Sequence, residues 1–147
     1  RNKLWEARHN AHYAILATAQ PDQHAMATDV CVPVSRLAEC ILATKKDIEQ
    51  SGLTSPFVGH AGDGNFHMSI IANYDDESEN KLAHEVHDRL VCRAQAVEGT
   101  CTGEHGIGSG KIDYLENELG GAVEVMRAVK RALDPENILN PGKMLRL

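Results

Sequence analysis

A chain of 147 residues suits one domain, since folding at this length removes roughly 68–70% of the extended chain's surface from water. Apolar residues make up 42% and charged residues 24%, which excludes a disordered chain and a membrane span. With 21 acidic against 15 basic residues the formal net charge is −6, and that balance argues against nucleic acid or anionic lipid as a partner.

The opening RNKLWEARHNAHYAILATA is already helical in pattern and carries neither an initiator methionine nor a leader, so it reads as part of a longer protein. Leu4, Trp5, His12, Ile15 and Leu16 recur at near-helical spacing and predict a helix over Asn2–Thr18, followed by a polar loop, Gln20–His24. Thr28–Pro33 alternates like a half-buried strand that Pro33 stops. Ser35 is expected to cap the next helix, whose apolar side is Leu37, Ile41, Leu42 and Ile48 and which Gly52 closes. Strands follow at Phe57–His60 and Phe66–Ala72. Asp75, Asp76 and Glu77 then favour the positive start of a long helix with a core stripe of Leu82, Val86, Leu90, Ala94 and Val97.

Beyond Glu98 the stretch GTCTGEHGIGSGK fits no period and is expected to be a loop of constrained backbone. Helices at Ile112–Leu119 and Val123–Leu133 precede a tail. The cysteines at 31, 40, 92 and 101 form no C-x-x-C pair and read as buried thiols of a reducing compartment. The element order suggests an α+β fold: a ferredoxin-like antiparallel sheet with helices on one face, plus C-terminal helices.

HAGDGNFH holds two histidines around a turn. If Asp63-Gly64 forms a two-residue type I′ turn, His60 faces His67. Their side chains, with Val58 and Ser69, then share one face, and Phe57, Phe66, Met68 and Ile70 go to the helix-covered side. Opposed Cβ atoms ~4.5–5.5 Å apart suit two imidazoles on one metal ion. Glu104-His105, among Gly99, Gly103, Gly106, Gly108 and Gly110, adds further candidates, and two imidazoles with one carboxylate leave coordination positions open to a substrate. Residues alone leave open polar turn-flanking histidines, a metal that acts on a substrate, as in a metal-dependent hydrolase with His105 shuttling protons, and a non-catalytic metal-binding or interaction module.

HAGDGNFH, TCTGEHGIG and LDPENILNPGK, with WEARHNAHYA and ATDVCVPVSRL, resemble the C-terminal cap domain of FAD-linked oxidases of the vanillyl-alcohol-oxidase type, most closely the D-lactate dehydrogenase branch. The resemblance implies His60, His67 and Glu104 as ligands of a divalent zinc or manganese and His105 as catalytic base. It implies Arg8 on the substrate carboxylate, Asn65 beside the substrate and Asn140 near the flavin of FAD. The reaction it implies is oxidation of a D-2-hydroxy acid to the 2-oxo acid, with hydride to the flavin, the proton to His105, and a further electron acceptor downstream.

By the same resemblance FAD is held mainly by an N-terminal domain. Nothing in this chain matches that domain's phosphate-binding loop, and GTCTGEHGIG is not G-x-G-x-x-G opening a helix. Alone, the chain is therefore expected to be inactive, with a polar sheet face bare and prone to self-association. Family members that take 2-hydroxyglutarate carry a lysine where this chain has Ala27, on the face shared with Asp29 and Cys31, and its loss favours a monocarboxylate such as D-lactate. The implied location is a bacterial cytoplasm, peripheral to the inner membrane, or a mitochondrial matrix. His84 and His87 are expected on a solvated helix face, Trp5 in packing, and Lys111 in solvent.

Overall fold

The eight-residue strand β4 (Asn65–Ala72) is the axis on which the rest of the chain is assembled. In the computed structural model, which describes residues 2–147 apart from the side chains of Asn2, Lys3, Leu4, Ala7, Arg8, His9 and His12, β4 is paired antiparallel along both edges. One edge carries β1 (His24–Ala27) and β2 (Val30–Cys31); the other carries β3 (Phe57–His60). β1 and β2 keep one register, Ala27 opposite Ser69 and Val30 opposite Phe66, so they are one strand interrupted at Thr28-Asp29. Beyond β2 the sheet continues, among the described residues, only as a bridge at Thr100, whose N–H reaches the Cys31 carbonyl at 2.7 Å.

Period-2 alternation sorts β4 into two faces. Phe66, Met68, Ile70 and Ala72 join Val30, Leu37, Cys40, Val86 and Leu90 in the main core. That core is roofed by α2 (Val34–Ser51) and α3 (Glu77–Gln95). Asn65, His67 and Ser69 point the other way. The result is the expected α+β arrangement, a ferredoxin-like antiparallel sheet with helices on one face. Before it stands α1 (Asn2–Leu16); after it come α4 (Ile112–Leu119) and α5 (Ala122–Leu133), the second small core being Leu115, Val123 and Leu145. No helix among the described residues is long and apolar enough to cross a membrane.

Several local expectations are corrected. The hairpin between β3 and β4 has a four-residue loop, 61–64, so His60 lies opposite Asn65, and His67 opposite Val58. Of its last two residues only Gly64 has positive φ, at 77°, whereas a type I′ turn needs two. The Asp63 N–H instead closes on the His60 carbonyl at 2.8 Å. A shift of two residues keeps every side chain on its face, so His60 and His67 still share the open side. α2 begins at Val34 after Pro33 rather than on a Ser35 cap; its buried stripe is Leu37, Cys40, Thr44 and Ile48, and Leu42 is 66% exposed. Gly52 ends it at φ 74° as expected.

Asp76 caps α3 by accepting from the N–H groups of Ser78 and Glu79 at 2.9 and 3.0 Å. Its core stripe is Ala83, Val86, Leu90, Val91 and Ala94 rather than one running through Leu82. His87 is not solvated: its ring stands 5.7 Å from that of Tyr114, tying α3 to α4. Cys92 is exposed and Cys31 half-buried, so only Cys40 and Cys101 are buried thiols. Burial pushes the Cys101 thiol up to about 11, which leaves it unreactive.

α2 and α3 are stapled on their outer side by Asp47, which accepts from Arg89 Nε at 3.0 Å and Nη2 at 2.8 Å, and from Arg93 Nη2 at 3.0 Å. The hydrogen bond from Arg89 is the largest reason that the Asp47 carboxyl sits below the usual range. A carboxyl depressed in the folded state stabilises above its unfolded value and loses that contribution as pH falls through the folded one. Asp47→Asn should therefore lower the melting temperature at neutral pH, and its deficit should shrink progressively below about pH 4. Thermal melts across that range check both the gap and its closure.

Candidate metal centre

The open face of the sheet is organised by the interruption at Thr28-Asp29. Thr28 donates its N–H to the Met68 carbonyl at 2.8 Å, as a ladder residue would. The returning N–H of Met68, however, goes to the Thr28 hydroxyl at 2.9 Å. The side chain thus stands in for the carbonyl of its own residue. That carbonyl is left to accept from His67 Nδ1 at 3.0 Å. A carbonyl only accepts, so Nδ1 carries the proton and the lone pair of the neutral ring lies on Nε2.

His67 Nε2 meets Glu104 Oε1 at 2.9 Å. The same oxygen lies 3.7 Å from His60 Nε2 and 3.6 Å from His105 Nε2. Three imidazole nitrogens thus surround one carboxylate oxygen. The rings of His60 and His105 stand nearly perpendicular to that of His67, at centroid distances of 6.2 and 5.2 Å. Two lone pairs 2.9 Å apart repel unless a cation, proton or metal, lies at them. Donor atoms of a tetrahedral zinc stand about 3.3 Å apart, so this set fits such an ion with small adjustments.

A second cluster, Asp29, His67 and His105, also brings ligand atoms within 4.8 Å of one another. Asp29 is spent elsewhere. Its Oδ2 accepts from Thr102 Oγ1 at 2.6 Å and from the N–H groups of Gly103, Glu104 and His105 at 2.9, 3.1 and 3.0 Å. Its Oδ1 accepts from Asn65 Nδ2 at 2.8 Å. Burial raises the Asp29 pKa, but the bonds from Thr102, His105, Asn65 and Glu104 together outweigh it and hold the carboxyl well below the ordinary carboxylate range. Nδ1 of His67 is likewise taken. The His60, His67 and Glu104 set is the one with free donors.

The cluster is half-open. His67 is 14% exposed by side chain, against 45% for His60, 50% for Glu104 and 61% for His105, so one histidine is built into the sheet and the other groups face solvent. The polar face is not bare as expected, since Thr28, Asp29, Asn65 and Ser69 are all buried. Part of its cover is the glycine loop around Thr102–His105. Lys111, expected in solvent, runs inward and donates to the Asp29 carbonyl at 2.9 Å; burial lowers its pKa.

The structure brings together four of the seven expected site residues, His60, His67, Glu104 and His105, with Asn65 alongside. The Asn65 amide nitrogen is committed to Asp29 and to the Val30 carbonyl at 3.0 Å, and its buried Oδ1 has no partner among the described residues. Asn140 is exposed in the tail at φ 49° and lines a groove with Val125, Val129 and Met144 that none of these histidines enters. Arg8 lies on α1, its side chain outside the described ones. Asp29, Thr28, Thr102 and Lys111 were not singled out from sequence for this site. The available signal was Thr28-Asp29 itself, a polar pair with a β-disfavoured aspartate inside a strand-forming run.

The family described as FAD linked oxidases, C-terminal domain, matches residues 1–144. The chain is 50% identical over 148 residues to "Probable D-lactate dehydrogenase, mitochondrial" of Danio rerio, covering 100% of this chain and 30% of that protein. It is 45% identical over 146 residues to "D-lactate dehydrogenase (cytochrome), mitochondrial" of Arabidopsis thaliana, covering 99% of this chain and 26% of that one. Among solved structures, 4-ethylphenol oxidase from Gulosibacter chungangensis, in its isoeugenol complex, matches with a TM-score of 0.68 at 18% identity over 97% of this chain and 29% of that one, a likeness of fold. The chain thus spans less than a third of the length of these curated relatives.

Two loop glycines make opposite forecasts. A Cβ on Gly103 would stand 1.8 Å from Asn65 Nδ2, whereas one on Gly110 would meet nothing within 4 Å. Gly103→Ala should destabilise the protein by roughly 1–3 kcal/mol through overpacking. Gly110→Ala should be neutral or stabilising by up to ~1 kcal/mol through the unfolded chain. Urea melts of the pair decide.

Proposed function

The chain belongs to the C-terminal domain family of FAD linked oxidases, and from that premise we propose that it is the substrate- and metal-binding part of a flavin-dependent dehydrogenase oxidising a D-2-hydroxy acid, D-lactate first, to the 2-oxo acid. The observation that carries the reading is the convergence of His60, His67 and His105 Nε2 on Glu104 Oε1, with the His67 tautomer set by Thr28.

In this reading His60, His67 and Glu104 hold a divalent zinc or manganese, which when bound would polarise the substrate hydroxyl and lower its pKa. FAD, when bound mainly by a preceding domain, would take the two electrons and the Cα hydrogen. The residues of this chain do the rest. His105, the most exposed of the three imidazoles, accepts the hydroxyl proton at Nε2. Arg8 presents a planar fork to the substrate carboxylate. Asn65 lies beside the substrate, and Asn140 approaches the flavin from the tail.

Ala27 supports a monocarboxylate. It is exposed on the face of Asp29 and His67, opposite Ser69, and offers no cation for a second carboxylate. An apolar stripe supports docking onto the flavin-binding half: Val125, Val129 and Leu133 follow one another at helical spacing on α5 and are 65%, 53% and 78% exposed, with Ile138 at 75% beyond them. The names of the relatives favour a mitochondrial location for a eukaryotic source and leave a bacterial cytoplasm for the alternative.

Joined to its flavin-binding half, the protein should be yellow and should bleach when D-lactate is added without oxygen. Colour that persists with every 2-hydroxy acid tried would overturn the reading. His105→Asn should slow the bleaching about 10²–10⁴-fold with flavin content unchanged, measured by stopped-flow absorbance.

A further inference from the structure

Three consecutive backbone N–H groups that point at one spot form a concave anion cradle. In Gly103, Glu104 and His105 that cradle is filled by Oδ2 of Asp29, at 2.9, 3.1 and 3.0 Å. The occupant comes from a residue more than seventy positions away in the chain and is 2% exposed. The loop's N–H groups are therefore not available to a substrate carboxylate or a phosphate. They are used to fix the loop.

Resting on the metal reading above, we propose that Asp29 is a positioning residue: its carboxylate, seated in the 103–105 cradle, sets the direction in which Glu104 and His105 leave the loop toward His60 and His67. The neighbouring Thr28 orients His67 through its carbonyl, so two consecutive residues at the break in the strand hold the two sides of the site in one frame. Thr102 completes the cradle from within the loop. Its hydroxyl donates to Asp29 Oδ2 at 2.6 Å and accepts from the Gly106 N–H at 2.9 Å, binding both ends of the Glu104-His105 turn to the same point. Asn65 and Gly103 close the other side: the amide holds Oδ1, and only a glycine leaves room for that amide. Groups that orient a metal's ligands are worth about 10–100-fold in metal affinity.

The test is zinc(II) and manganese(II) affinity of the flavin-loaded protein, measured by competition with a chromophoric chelator, with flavin content and melting temperature followed alongside. Asp29→Asn, which keeps the shape but turns one acceptor into a donor, should weaken metal binding about 10–100-fold with flavin content unchanged. Thr102→Val, which removes one hydroxyl only, should weaken it in the same direction by less, and Thr102→Ser should restore the parent value. Should Asp29→Asn fail to fold, the Thr102 pair decides: equal affinities for Val and Ser overturn the proposal. Parent-like affinity in a folded Asp29→Asn, with binding lost in Glu104→Gln, overturns the positioning role alone. A parent that binds neither ion overturns the metal reading, and this role with it.

Discussion

A carboxylate removed from water must be compensated by hydrogen bonds, and Asp29 meets that demand by collecting five donors on its two oxygens. The rest of the site depends on this one constraint. Backbone groups of a glycine-rich loop have no intrinsic reason to settle in one geometry, because glycine loses the most conformational freedom on ordering. Buried negative charge supplies the reason, and Lys111, propped against the Asp29 backbone, adds a positive group 3.6 Å from the carboxylate. The loop is therefore ordered by electrostatics rather than by an apolar core of its own.

This explains what was legible in the sequence and what was not. The helices and strands were legible because each follows a period that burial enforces: α4 coincides with its expected limits, and β4 sorts its side chains as alternation predicts. The hairpin register was misplaced by two residues, since Asp63-Gly64 looks like a two-residue turn while the chain uses four. Because the error was even, the chemistry stayed on its face, and the pairing of His60 with His67 survived as a diagonal neighbour relation. An odd slip would have sent the imidazoles into the core.

The break at Thr28-Asp29 could not be seen from alternation, for a physical reason. A threonine that substitutes its hydroxyl for its own carbonyl in the ladder leaves the side-chain pattern of the strand untouched, so Ala27, Asp29 and Cys31 still share a face and Met26 and Val30 still face the helices. Only the hydrogen-bond accounting changes. Likewise five glycines announced a constrained loop but not what it wraps. Gly103 is demanded by Asn65, Gly99 by the backbone of Cys31, Gly106 and Gly108 by positive φ, and Gly110 by nothing in its surroundings. Density of glycine is thus a sum of separate local demands, not one motif with one cause.

The division between rigid and open parts of the site follows from where each group is anchored. His67 sits on the central strand, takes its tautomer from the neighbouring strand and is mostly covered, so its nitrogen has one direction available. His60 and Glu104 approach from the end of β3 and from the clamped loop, half in solvent, with room to adjust their distances around an ion. Ala27 lies farther along the same edge, exposed and opposite Ser69, outside the clamp. A change there alters the open face without touching the hydrogen bonds that hold Glu104 and His105. The fold therefore lets the surface vary at one end of a strand while His60, His67, Glu104 and His105 stay set at the other.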